Sequence, residues 1–235
     1  MSLELTTLSV RLRDADEPLF APLTLSVPSG EVTTVMGASG VGKSMLLAMI
    51  GGHLPHSFVG SGQIVLNGRD VTRLPAEARR IGILFQDALL FPHLSVGDNL
   101  AFGLPRSLKG RVARRAAVAA ALDQAGLSGF ENRDPATLSG GQQARVALMR
   151  TLLSEPLALL LDEPFSKLDS ELRGDIRAFV FEHSRVRGLP ALLVTHDPGD
   201  AEAAGGPVVT LLAAAVAPLT GSIAVRTARR RGPDR

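Results

Sequence analysis

The sequence predicts an α/β fold: a P-loop core with a parallel sheet, an N-terminal antiparallel β subdomain and an inserted α-helical subdomain. Three observations carry that expectation. Gly37-Ala38-Ser39-Gly40-Val41-Gly42-Lys43-Ser44 fits G-x-x-x-x-G-K-[ST] and sits between a strand-like run and a helix-like run. Short continuous apolar runs at 81–85, 157–161 and 192–194 suit strands buried on both faces. Between the first two of these, from Asp87 to about Leu153, no strand pattern is convincing.

Taken in order, Leu3–Val10 and Leu19–Val27 alternate loosely around the charged Arg13–Glu17, which predicts two antiparallel strands joined by a turn. Pro28-Ser29-Gly30 turns the chain into Val32–Met36, a buried strand leading to the P-loop. Met45–Ile50 reads as the helix leading out, stopped by Gly51-Gly52. Gln63–Leu66 followed by Asn67-Gly68 is a strand ending in a hairpin signal. Ile81–Phe85 is a second buried strand with Gln86 at its end. Arg111–Ala125 is an Ala/Arg helix stopped by Gly126, and a further helix follows Leu138–Gln142. The core resumes at Leu157–Leu161 and ends in Asp162-Glu163-Pro164. Leu172, Ile176, Phe179, Val180 and Val186 recur at helical spacing, marking a helix that packs on the sheet. Leu192–Val194 and Val208–Leu212 are the last strands. The expected partition is one domain over 3–220, with core segments 3–86 and 154–220, a helical subdomain over 87–153, and a disordered basic tail at 221–235.

Composition narrows the function. The 235 residues carry a formal net charge of +2 and no cysteine, which excludes disulfides, Cys-ligated zinc and thiol catalysis. Basic residues gather at Arg111–Arg115 and Arg226–Arg235 with no aromatics nearby for base stacking, so they read as a solvated helix face and a frayed tail. No nucleic-acid partner is expected. His53 and His56 lack a third ligand and read as loop histidines. The N-terminus does not resemble a signal peptide, and the longest mainly apolar run, Pro207–Leu219, falls short of the ~20 residues needed to span a bilayer. Work at a membrane would need a span from another chain.

The chemistry concentrates at strand ends. Gly37, Gly40 and Gly42 let successive backbone N–H groups face one phosphate chain, at a helix N-terminus that favours negative charge. Lys43 reaches the β- and γ-phosphates, and the Ser44 hydroxyl suits Mg²⁺. Gln86, Asp162, Glu163 and His196 each follow a predicted parallel strand, where open α/β sheets bind ligands. Asp162 suits a Mg²⁺ carboxylate, and Glu163 a general base on the attacking water. Gln86 is assigned to the water or the metal, and His196 to the γ-phosphate and to steadying Glu163.

With Leu138-Ser139-Gly140-Gly141-Gln142, the P-loop, Leu159–Pro164 and Val194-Thr195-His196-Asp197 in this order, the chain resembles the ATP-binding cassette (ABC) family over roughly residues 3–220. The resemblance implies a RecA-like core and a Mg²⁺-dependent ATPase. It implies a head-to-tail dimer in which Ser139, Gly140, Gly141 and Gln142 meet the ATP held by Gly37–Ser44 of a second copy. Asp169, in Phe165–Asp169, would link the two sites. Within the family the chain looks most like the ATPase subunit of bacterial binding-protein-dependent importers. Such a subunit lies on the cytoplasmic face of the inner membrane and works with transmembrane permease subunits and, indirectly, a substrate-binding protein. Leu89–Leu94 lies where the permease's coupling helix would dock. A soluble family member acting in translation or DNA repair is the alternative, although the usual second cassette or coiled-coil insertion is absent. The family's aromatic adenine platform has no counterpart here, since the chain has no Tyr or Trp. Adenine is left to rest on an Arg, on Phe20, or on little at all. No C-terminal regulatory domain is expected.

Overall fold

The computed structural model describes residues 1–214, so the basic tail expected at 221–235 lies outside the described residues. In chain order the strands and helices are β1 (Ser2–Leu12), β2 (Leu23–Pro28), β3 (Val32–Met36), α1 (Lys43–Gly51), β4 (Phe58–Leu66), β5 (Arg69–Asp70), α2 (Ala76–Arg79) and β6 (Ile81–Leu84). They continue with α3 (Val96–Gly103), α4 (Arg111–Gln124), a 3-10 turn at Pro135–Thr137, α5 (Gly140–Leu153), β7 (Ala158–Asp162), α6 (Ser170–Val186), β8 (Ala191–Val194), α7 (Pro198–Ala204) and β9 (Val208–Thr210).

These strands form two sheets. An antiparallel sheet has the order β2-β1-β4-β5, and a parallel sheet the order β6-β7-β8-β3-β9. Side chains of a strand alternate between faces, and the parallel strands show what that alternation does when both faces are covered. Ala158 and Leu160 of β7, with Leu192 and Val194 of β8, join a core shared with α1 and the antiparallel sheet. Leu159, Leu161, Ala191 and Leu193 point the other way, into a core shared with α3, α4, α5 and α6. Two cores on opposite faces explain why the strand sequences are apolar without interruption.

Local chemistry sets the boundaries. Asn67 and Gly68 both adopt positive φ, 52° and 76°, as a two-residue hairpin of primed type requires, and they return the chain from β4 to β5. Gly52, with φ 82°, closes α1 by donating to the carbonyls of Ala48 and Met49. Further bonds to this helix end come from Arg79, a buried arginine that sequence patterning does not reveal. Its Nη1 donates to Met49 and Ile50 at 2.8 Å each, its Nε to Leu74 at 2.8 Å and its Nη2 to Thr72 at 2.8 Å.

Two expectations need correction. β2 starts at Leu23, not Leu19, because Pro22 has no N–H to give to a ladder. The chain before it pairs instead with the segment after β9, through a Phe20–Ala213 bridge and a bond from Ala21 N to Leu212 O of 2.9 Å. On α6 the proposed apolar stripe is only partly buried: Ile176 and Val180 are in the core, but Leu172 and Val186 are 38% and 80% exposed. The buried face passes through Phe181 and Ser184 instead, both fully enclosed, as the helix rotates away from the wider stripe.

Candidate functional site

β3, β7 and β8 are neighbours, so the loops leaving their C-terminal ends converge. The P-loop leaves β3. Gly40 and Gly42 take φ 79° and 102°, which side-chain-bearing residues rarely adopt. Gly42 is also sterically required: a Cβ there would meet Phe20 at 3.0 Å and Leu19 at 3.2 Å. Gly42 is the N-cap of α1 and no side chain caps that helix, so the first-turn N–H groups face the loop. Lys43 is buried, and its Nζ donates to the carbonyls of Gly37 and Ala38 at 2.9 and 3.1 Å. The loop thus places one ammonium beside a helix start whose amides no side chain caps, an arrangement able to hold an anion.

Asp162 ends β7 beside this loop. Burial raises its pKa above the ordinary carboxylate value, the nearby Glu163 adds to the rise, and the Ser44 hydroxyl and Lys43 ammonium pull it back. The next residue must leave the strand line to point elsewhere, and it does so through a left-handed backbone: Glu163 has φ 46°. Such a conformation costs about 1–2 kcal/mol for a residue with a side chain. Neighbours hold it in place, with Glu163 N donating to Val194 O at 2.9 Å and Ser166 Oγ donating to Glu163 O at 2.9 Å. His196 follows β8, and its Nδ1 lies 3.1 Å from Glu163 Oε1. Lys43, Ser44, Asp162, Glu163 and His196 are therefore brought together.

A divalent cation fits this donor set. Ser44 and Asp162 offer two hard oxygens, and a carboxylate ionised against burial gains from a nearby cation. Among the described residues no group of three or more Asp, Glu, His or Cys side chains stands ready to cage a metal. A Mg²⁺ here would complete its shell with phosphate and water oxygens, as that ion prefers.

The raised Asp162 pKa has a testable consequence. The native state holds this proton more tightly than the unfolded chain, so ionising Asp162 lowers stability as pH climbs through the raised value. Asp162→Asn should leave the nucleotide-free melting temperature at pH 8 unchanged or higher, while shrinking the further rise produced by Mg²⁺ with ATP. A lower nucleotide-free melting temperature with an intact Mg²⁺-ATP rise would contradict this.

Gln86 stands exposed after β6, lining a cleft with Gly140, Gln143, Pro164 and Leu168 rather than the P-loop centre. The segment 138–142 begins α5. Ser139 Oγ accepts from Gln142 N at 3.3 Å, and Gln142 Oε1 accepts from Ser139 N at 3.0 Å, a reciprocal capping box. That bond occupies the Gln142 carbonyl oxygen. The Ser139 hydroxyl proton remains available, and Ser139 and Gly140 are both exposed. Asp169 is the exposed N-cap of α6, and its side chain makes no capping bond. Phe20 is fully buried beneath Gly42, so it supports the P-loop and is not an adenine platform.

The family model described as ABC transporter matches residues 20–166, more than half of the chain and spanning the P-loop, the α5 signature and Asp162-Glu163. The chain belongs to the ABC transporter family. It is an ATP-binding cassette ATPase. It is 50% identical over 195 residues to the ABC transporter ATP-binding protein YnjD of Escherichia coli (strain K12), covering 83% of this chain and 89% of that one. It is 45% identical over 194 residues to the thiamine import ATP-binding protein ThiQ of Jannaschia sp. (strain CCS1), covering 83% and 82%. Among solved structures, the ATP-binding cassette MJ0796, a dimer in a post-hydrolysis state bound to ADP and Pi, superposes with a TM-score of 0.74 at 28% identity. That match covers 89% of this cassette and 94% of the other. None of the cassette's described helices is long and apolar enough to cross a membrane.

Sequence reasoning missed the arginines that frame these loops. Arg150 of α5 donates to Leu89 O at 2.9 Å and Ala88 O at 3.2 Å, tying the segment after Gln86 to the signature helix. Arg173 and Arg177 of α6 grip the residues after His196. No motif marks them, and an isolated arginine on a helix reads as solvated.

Proposed function

We propose that this cassette hydrolyses ATP in composite sites between two copies of itself, and that closure of the dimer drives the permease subunits of a bacterial importer. The observation that carries the reading is the 3.1 Å contact of His196 with Glu163, beside Lys43, Ser44 and Asp162. Gly37–Ser44 bind the ATP phosphates through backbone amides and the Lys43 ammonium. Glu163 accepts the proton of the attacking water, and His196 orients that carboxylate and meets the γ-phosphate. Ser44 and Asp162 hold Mg²⁺, with Gln86 joining when the cleft closes. Mg²⁺ supplies charge neutralisation across the β- and γ-phosphate oxygens.

Ser139, Gly140 and Gly141 present a hydroxyl and first-turn amides at the open start of α5, and we assign them, with Gln142 shaping the turn, to the ATP of the second copy. Asp169, unoccupied as a cap, is assigned to the same interface. Support for two chains comes from the solved relative, which is dimeric. The helical lobe, assigned to 87–153 between core segments 3–86 and 154–220, carries the surface for the permease. There Leu89 and Phe102 are 56% and 67% exposed, and Phe91 packs edge-on against Phe102 with centroids 4.7 Å apart. Relatives named for import support that class, among them ThiQ and the Fe(3+) ions import ATP-binding protein FbpC of Rhizobium etli, 43% identical over 80% of this chain and 53% of its own length. The cassette then sits at the cytoplasmic face of the membrane through its permease, with a substrate-binding protein as indirect partner. These names do not favour a role in translation or DNA repair.

The signature acting in trans is the testable core. Ser139→Arg should leave ATP binding by a single subunit within about twofold, while hydrolysis falls at least tenfold. Mixed with Lys43→Ala, it forms one composite site with both lesions and one with neither, so turnover should return in the mixture. Normal hydrolysis by Ser139→Arg alone, at any protein concentration, would sink the two-chain site.

A further inference from the structure

The segment that carries His196 hangs from two arginines of α6. Arg173 and Arg177 are one helical turn apart and share a face. Arg173 Nη1 donates to Asp197 Oδ2 at 2.9 Å, and Arg177 Nη2 donates to the same oxygen at 3.0 Å. The other Asp197 oxygen accepts from Gly199 N at 2.8 Å and so caps α7. Thr195 Oγ1 donates to Asp200 Oδ2 at 2.5 Å and accepts from Asp197 N at 3.1 Å. Asp200 is buried, and its Oδ1 accepts from Arg177 Nε at 2.5 Å. The residues on both sides of His196 are therefore fixed, while its ring is exposed and faces Glu163.

The two arginines differ in reach. Among the described residues Arg177 bonds only to Asp197 and Asp200, so it closes the corner between α6 and α7. Arg173 also donates from Nη2 to the Leu168 carbonyl at 3.0 Å, the residue before Asp169. It thus bridges the turn leading to Asp169 and the turn leaving His196. Its Nε is buried with no hydrogen-bond partner among the described residues. An unsatisfied buried donor costs free energy. Among the described residues the side chain is held by its two anchors alone, Leu168 and Asp197.

We propose that Arg173 is a positioning residue for ATP hydrolysis: by holding Leu168 and Asp197 at fixed separation, it transmits displacement of Asp169 at the dimer interface to the His196–Glu163 pair. The inference rests on the reading of Glu163 and His196 as the hydrolytic pair. Through Arg173, arrival of the second cassette at Asp169 is felt at His196. The side chain touches no substrate, so ATP affinity does not depend on it.

The test uses the full-length protein with four variants, Arg173→Gln, Arg173→Lys, Asp197→Asn and the Arg173→Gln/Asp197→Asn double. Nucleotide affinity of the monomer, steady-state hydrolysis and the pH–kcat profile are measured for each, with Glu163→Gln in parallel. Arg173→Gln should bind ATP within twofold of wild type and keep KM within threefold, while kcat falls at least tenfold and the pH profile moves. Arg173→Lys should recover part of kcat, since one ammonium can hold one anchor but not match the planar fork at two. It also supplies the result should Arg173→Gln fold poorly. The double variant should be no slower than Asp197→Asn alone, because the Arg173 link is already cut once Asp197 is changed. If Arg173→Lys or Arg173→Gln turns over within twofold of wild type while Glu163→Gln is inactive, the link is wrong and the hydrolytic pair stands. Multiplicative losses in the double variant would also overturn the link. Wild-type turnover by Glu163→Gln would instead remove the reading on which the link depends.

Discussion

Glu163→Gln should bind ATP as tightly as wild type and hydrolyse it about 10²–10⁴-fold more slowly, the usual cost of losing a general base. The amide has nearly the shape of the carboxylate but cannot take a proton from water. Geometry argues that little else changes. The left-handed backbone at Glu163 is held by main-chain bonds to Val194 and by Ser166, none of which uses the carboxylate. His196 Nδ1 can still donate to the amide oxygen that replaces Oε1. The stalled variant should accumulate as an ATP-bound dimer, visible by light scattering in Mg²⁺ and ATP and dispersing when nucleotide is removed. Wild-type hydrolysis in this variant would move the base elsewhere, and His196 would be the next residue to test.

Lys43→Ala should lose the nucleotide itself. The ammonium is buried against the loop and is the only Lys or Arg within the P-loop motif. Truncating one partner of a desolvated charge pair costs about 2–5 kcal/mol, or roughly 30- to 4,000-fold in Kd. The fold should survive, because among the described residues Lys43 bonds only to the Gly37 and Ala38 carbonyls and those belong to the loop it serves. Isothermal titration with ATP and Mg²⁺, alongside circular dichroism, separates the two effects. Tight ATP binding by a folded Lys43→Ala protein would refute the P-loop assignment.

The strands and the residues at their ends were legible because the parallel sheet imposes strong local signatures. A strand buried on both faces must be apolar throughout, so 157–161 and 192–194 stand out, and Asp162, Glu163 and His196 are conspicuous as the first ionisable residues beyond them. The P-loop is legible for a different reason, since its glycines and lysine are fixed by the ligand and not by the core. What escaped the sequence is long-range. Arg79, Arg150 and Arg173 act on carbonyls brought near by the fold, and nothing in their own neighbourhoods announces those partners. Phe20 misled because an aromatic upstream of a P-loop invites stacking on a base, whereas its ring is needed to back Gly42. The stripe on α6 misled at its ends, where Leu172 and Val186 continue the spacing beyond the surface that the core can cover.

The order of strands also dictates when this protein becomes able to take up nucleotide. β3, which launches the P-loop, ends at Met36, and its sheet neighbours are β8, from Ala191, and β9, from Val208. A nascent chain leaves the ribosome from its N-terminus, and pairing of distant strands must wait for the later one to emerge. The newborn protein therefore carries an intact phosphate-binding sequence through the synthesis of residues 45–190 with no strand on either side of β3. Residues 191–210 are at once the backing of the His196 loop and the closing piece of the sheet. The nucleotide pocket matures only when that piece docks, so the cassette acquires its fuel site after residue 210 has emerged.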